Sequence, residues 1–72
     1  MHISQIKQTD IAKALDISDA YLSQIFAGIY EPGKATARKM GDFTGLPWTD
    51  FLTMPPDQIR IALFEAAARA AA

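Results

Sequence analysis

The chain has 72 residues, half of them hydrophobic, and a formal net charge of -1 at pH 7. That supports one small folded domain with no second core, and a chain of this size is marginally stable unless it pairs or is very helical. The absence of cysteine excludes a disulfide framework and a cysteine-based zinc finger and fits a reducing cytoplasm. No apolar run approaches the roughly 20 residues of a membrane span, and Met1-His2-Ile3-Ser4-Gln5 lacks the basic-then-apolar design of a signal peptide, so a cytoplasmic location is expected.

In chain order, Met1 to Lys7 offer Ile3 and Ile6 as apolar contacts, and both a helix capped by Ser4 and an extended start suit them. Gln8 to Leu15 reads as an amphipathic helix, with Ile11, Ala12 and Leu15 on one face and Thr9, Asp10 and Lys13 on the other. Ala12 is small where two steeply crossing helices approach most closely. Asp16 and Ile17 make a tight turn, with Ile17 plugging the corner. Ser18 is an N-cap and Gly28 lies just past a C-terminus, so Asp19 to Ala27 form a second helix. Tyr21, Leu22, Ile25 and Phe26 fall on its core face. Asp19, Ala20, Ser23, Gln24 and Ala27 fall opposite, small or polar and free to read something.

Ile29 to Gly33 form a loop bounded by Gly28 and by Pro32-Gly33. The next helix, about Lys34 to Phe43, buries Ala37, Met40 and Phe43, exposes Arg38, Lys39 and Asp42, and ends at Gly45 with Pro47 just beyond. Trp48 to Leu52 reads as a short closing helix with Phe51 and Leu52 inward and Trp48 as a packing residue. Pro55-Pro56 stop one helix and start another, and Asp57 to Ala72 is helical by its alanine content. Ile59, Leu63, Ala66 and Ala70 form one stripe, Ile61, Phe64 and Ala68 a second, and Gln58, Glu65 and Arg69 a polar strip. A helix apolar on two sides needs two neighbours. The domain is one; the same helix of a second subunit is the other, which makes Ile61, Phe64 and Ala68 the expected homodimer interface.

Gln8, Ala12, Ile17, Leu22 and Ile25, followed by Ser23-Gln24-Ile25-Phe26-Ala27-Gly28, the loop Gly28-Ile29-Tyr30-Glu31-Pro32-Gly33, and Ala37, Met40 and Thr44-Gly45-Leu46-Pro47, carry a resemblance. From Ile6 to Leu52 the chain resembles the phage repressor and Cro-like (XRE-type) helix-turn-helix proteins. The resemblance implies an all-α, lambda-repressor-like bundle with its first helix truncated to a stub and a C-terminal helix added. Residues 1–53 would be the DNA-binding domain and 54–72 a packing or dimerisation element. It implies a sequence-specific transcriptional regulator that binds double-stranded DNA as a homodimer on an inverted-repeat operator, with residues 19–27 in the major groove.

By position in the resembled motif, Asp19, Ala20, Ser23 and Gln24 read bases, and Lys7, Gln8, Thr9, Ser18, Tyr21, Lys34 and Arg38 hold the DNA backbone. Gln24 can present a bidentate amide to adenine, and Asp19 can accept from cytosine N4, although its charge repels phosphate and also suits the positive end of its helix. Ser23 is either a polar contact or a surface hydroxyl, and Tyr21 is either a phosphate donor or a core residue.

Charge pulls the other way, since up to Thr53 the acidic residues Asp10, Asp16, Asp19, Glu31, Asp42 and Asp50 outnumber the basic Lys7, Lys13, Lys34, Arg38 and Lys39. Duplex DNA rewards Lys and Arg through phosphate contacts and counterion release. The rival reading is therefore a protein-interaction or antitoxin-like module that keeps the fold with weak or no DNA binding, and an exposed Ile29-Tyr30 pair suits such a contact. Catalysis finds no nucleophile with a partner histidine, no metal-ligand cluster and no glycine-rich phosphate loop. His2 is a lone histidine, and no enzyme activity, cofactor, metal or small-molecule ligand is expected.

Overall fold

A computed structural model describes residues 6–71. The expectations placed on His2, Ile3 and Ser4 lie outside the described residues. Four α-helices follow one another, α1 (Gln8–Ala14), α2 (Asp19–Phe26), α3 (Lys34–Thr44) and α4 (Pro56–Ala71), with a 3-10 helix at Trp48–Leu52 between the last two. The fold is all-α, with no strand among the described residues.

The local chemistry sets the boundaries. Lys7 is extended, at φ -108° and ψ 152°, and its backbone N–H donates to Asp10 Oδ2 at 3.3 Å, so α1 starts at Gln8. Ile6, just before it, packs against the core. Asp16 turns the chain in the left-handed region at φ 57°, and Ile17 is half-buried in the corner. Ser18 Oγ then accepts from the Tyr21 N–H at 3.0 Å, satisfying one of the free donors at the start of α2. Gly45 at φ 80° closes α3, and Thr44 Oγ1 donates to the Met40 carbonyl at 2.8 Å while accepting from Leu46 N–H at 3.2 Å.

The core joins every helix: Ile11, Ala12 and Leu15 from α1, Leu22 and Ile25 from α2, Ala37 and Met40 from α3, Phe51 from the 3-10 helix, and Ile59 and Leu63 from α4. Removing each large side chain of this set from water stabilises the fold by roughly 1.5–3 kcal/mol. Backbone contact between α3 and the 3-10 helix depends on Gly41, because a Cβ there would lie 2.9 Å from Trp48 Cα and Cβ.

Two packing expectations, on Phe43 and Ala70, are corrected. Phe43 is half-buried, since it lies at an open dent lined by Ala14, Leu15 and Lys39. Leu52 points inward as expected, half-buried and packed against the core beside Phe51, which fills it. Ala70 is exposed: the buried stripe of α4 ends at Ala66, while Arg69 reaches back to donate to the Thr44 carbonyl at 3.3 Å.

Candidate nucleic-acid interface

Leu22 and Ile25 are sealed in the core at 0 % and 1 % exposure, which fixes how α2 is rotated about its own axis. On its other side Asp19, Ala20, Ser23 and Ala27 are exposed. Gln24, expected to be fully open, is half-buried: the loop folds back beside it, with the Ile29 N–H donating to the Gln24 carbonyl at 3.0 Å. Its side chain makes no hydrogen bond among the described residues, so toward them the amide keeps its donors and its acceptor for a ligand.

The heads of α1 and α2 come together. Gln8 Nε2 donates to Asp19 Oδ1 at 3.3 Å, joining the first residue of one helix to the first residue of the other. Lys7 and Thr9 are exposed on either side of Gln8, and Ser18 is exposed next to Asp19, so these expected backbone contacts share one end of the helix pair. Ser18 Oγ already accepts a capping bond, which leaves its hydroxyl hydrogen to donate. Asp19 lies in the first turn of α2, where a negative charge meets the positive end of the helix dipole.

The remaining positions are placed differently. Tyr21 is half-buried with its ring centroid 6.3 Å from that of Tyr30, so it belongs partly to the core and partly to the loop. Lys34 is exposed at the start of α3. Arg38, one turn further on, holds its guanidinium 4.8 Å above the Trp48 ring, a stacking that leaves its N–H edges able to donate. Ile61, Phe64 and Ala68 are on α4; Ile61 is 50 % exposed, while Phe64 and Ala68 are half-buried. The Phe64 ring is engaged within the domain, its centroid 6.3 Å from Phe26.

Sequence reasoning missed Lys39 and Arg69. Lys39 Nζ donates to the Asp16 carbonyl at 3.3 Å and so ties α3 to the turn between α1 and α2. No periodicity signals a contact across 23 residues, and the only local hint is an aspartate in a position that needs φ above zero.

A helix-turn-helix family model matches residues 4–51. The chain belongs to the XRE-type, Cro/repressor-like helix-turn-helix family. No curated protein and no solved structure matches it. Membership makes this a DNA-binding regulatory domain, and α1, α2 and α3 lie within the matched segment. Among the described residues no group of three or more His, Cys, Asp or Glu is placed to hold a metal ion, and no helix is long and apolar enough to cross a membrane.

Proposed function

We propose that the protein is a sequence-specific transcriptional regulator that binds an inverted-repeat operator as a homodimer, with α2 in the major groove. The observation that carries the reading is the exposed strip Asp19, Ala20 and Ser23, with Gln24 beside it, on a helix whose opposite side is locked into the core. A rigid helix with a bare polar strip can lay its side chains against base edges without reorganising. Gln24 reads adenine and Ser23 donates beside it; Ala20 is small enough to meet a thymine methyl, and Asp19 accepts from cytosine.

Lys7, Gln8, Thr9 and Ser18 hold phosphates at the paired helix heads, with Tyr21, Lys34 and Arg38 adding contacts from the loop side and α3. With so few cations, one subunit binds weakly, and two subunits on one duplex multiply their affinities. A bound dimer covers a promoter or recruits polymerase, with no cofactor required.

Selection of bound sequences from a random duplex pool tests this. The reading expects a two-fold symmetric consensus, steep loss of affinity with salt, and loss of the preference in Gln24→Ala. No enrichment at any salt would instead favour a protein-interaction module, the reading that the exposed Ile29 and Tyr30, at 66 % and 52 %, support.

A further inference from the structure

Helix α4 carries a second apolar stripe on its outer side, where Ile61 is exposed and Ala68 and Phe64, whose ring lies 6.3 Å from that of Phe26, are half-buried. At about 100° per residue, Ile61, Phe64 and Ala68 fall within an arc of about 60°, roughly opposite the buried Ile59, Leu63 and Ala66. Exposed charges of opposite sign flank this arc, Arg60 on one edge and Glu65 on the other. Arg60 is held close to the face, its Cζ 5.8 Å from the Phe64 ring centroid.

We propose that a second copy of this chain covers this face with α4 and its mate running parallel, Ile61 against Ile61 and Phe64 against Phe64, and Arg60 of each subunit paired with Glu65 of the other. This deepens the homodimer reading above, on which it rests.

The charges decide the direction. A two-fold axis along two parallel helices brings the left edge of one against the right edge of the other, so Arg60 meets a Glu65 five residues further on, the spacing by which flanking charges pair in parallel coiled coils. An axis across antiparallel helices brings like edges together instead. Arg60 then faces the Arg60 edge of the other chain, and Glu65 the Glu65 edge, so neither charge gains its partner.

Asp57 belongs to the same face, one turn before Ile61. In the parallel pair the two Asp57 carboxylates oppose each other and spread the helices at their N-terminal ends, confining contact to the stretch from Ile61 to Ala68. The apolar area is small, so the dimer is weak in solution and completed on DNA, where the two-fold site raises the local concentration.

Charge exchange tests the arrangement on the full chain without DNA, by sedimentation equilibrium from about ten to several hundred micromolar, with native mass spectrometry for mixed species. Arg60→Glu and Glu65→Arg each replace two attractions by two repulsions and should weaken the dimer by roughly three- to tenfold. Mixing the two variants should give a heterodimer in preference to either homodimer, and the double exchange R60E/E65R should restore wild-type affinity. Asp57→Asn should tighten it. Circular dichroism would confirm that each variant stays folded.

A dimer indifferent to the exchanges, or one that the double variant fails to restore, overturns the parallel pairing and leaves the homodimer standing. A chain that stays monomeric up to several hundred micromolar overturns the α4 pairing, and the homodimer reading then stands or falls on the two-fold symmetry of the selected duplexes. A symmetric consensus from duplex selection reports separately on DNA recognition, so the failures are distinguishable.

Discussion

Gln8 and Asp19, the residues that open α1 and α2, are hydrogen-bonded to each other at 3.3 Å, amide to carboxylate. The bond holds a negative charge at the front of the helix proposed to enter the groove, where it discourages phosphate and favours a base that can donate. Asp19→Asn keeps an acceptor for Gln8 and removes the charge. Affinity for random-sequence duplex should rise about three- to tenfold at low salt, with less gain at about 0.2 M, and the preference at one base pair per half-site should move from cytosine toward adenine. Fluorescence anisotropy on labelled duplexes reads both, and an unchanged affinity would place Asp19 away from the DNA.

The glycine that caps α3 and the one inside it should answer to substitution in opposite directions. Gly41→Ala drives a methyl to 2.9 Å from Trp48 Cα and Cβ and 3.1 Å from the Leu46 carbonyl, contacts with little room to relax. A loss of about 1–3 kcal/mol is expected. At Gly33 an added Cβ would meet nothing within 4 Å, and the residue caps α3 at φ -71° without a side chain to receive the first N–H groups. Gly33→Ser supplies that oxygen and should gain a few tenths of a kcal/mol. Thermal unfolding followed by circular dichroism ranks the pair.

Asp16 occupies the left-handed region at φ 57° with its carbonyl held by Lys39. Replacing it by glycine removes the steric cost of that conformation, about 1 kcal/mol, against the greater freedom of glycine in the unfolded chain. A small net gain is expected in Asp16→Gly, and a clear loss in Asp16→Val, whose branched side chain tolerates this backbone poorly. Urea midpoints would settle the order.

Helix α4 supplies Ile59 and Leu63 to the core that also holds Leu22 and Ile25, so the presenting helix leans on residues beyond the matched segment. Leu63→Ala should cost about 2–5 kcal/mol, a large part of the roughly 5–15 kcal/mol that holds a small domain. A chain ending at Thr53 should lose cooperative unfolding altogether. If that shortened chain melted as sharply as the full one, α4 would be dispensable to the fold.

Much of this was legible in the residue order because it is written locally. Ser18, Gly28 and Gly45 mark the ends of α2 and α3 through capping chemistry that acts within a few positions, and the 3.6-residue spacing of Leu22 and Ile25 fixes the inner side of α2. What escaped is non-local. The Gln8 to Asp19, Lys39 to Asp16 and Arg69 to Thr44 bonds span 11, 23 and 25 positions, and their partners meet only after the helices have packed. Arg38 was legible as a cation near the start of α3 but not as the partner of Trp48, because the turn at Gly45 brings the indole back over α3. The half-burial of Gln24 depends on the path of the loop after Gly28, which helical periodicity does not describe.

Trp48 is the chain's single tryptophan, half-buried against Gly41 with a guanidinium over its ring. Its emission is therefore a native optical probe of one junction, needing no dye. If Arg38 swings toward a phosphate, the indole loses its cationic lid and its spectrum shifts while the helices stay intact; if the fold opens, spectrum and helicity change together. One intrinsic chromophore thus separates engagement of a duplex from unfolding.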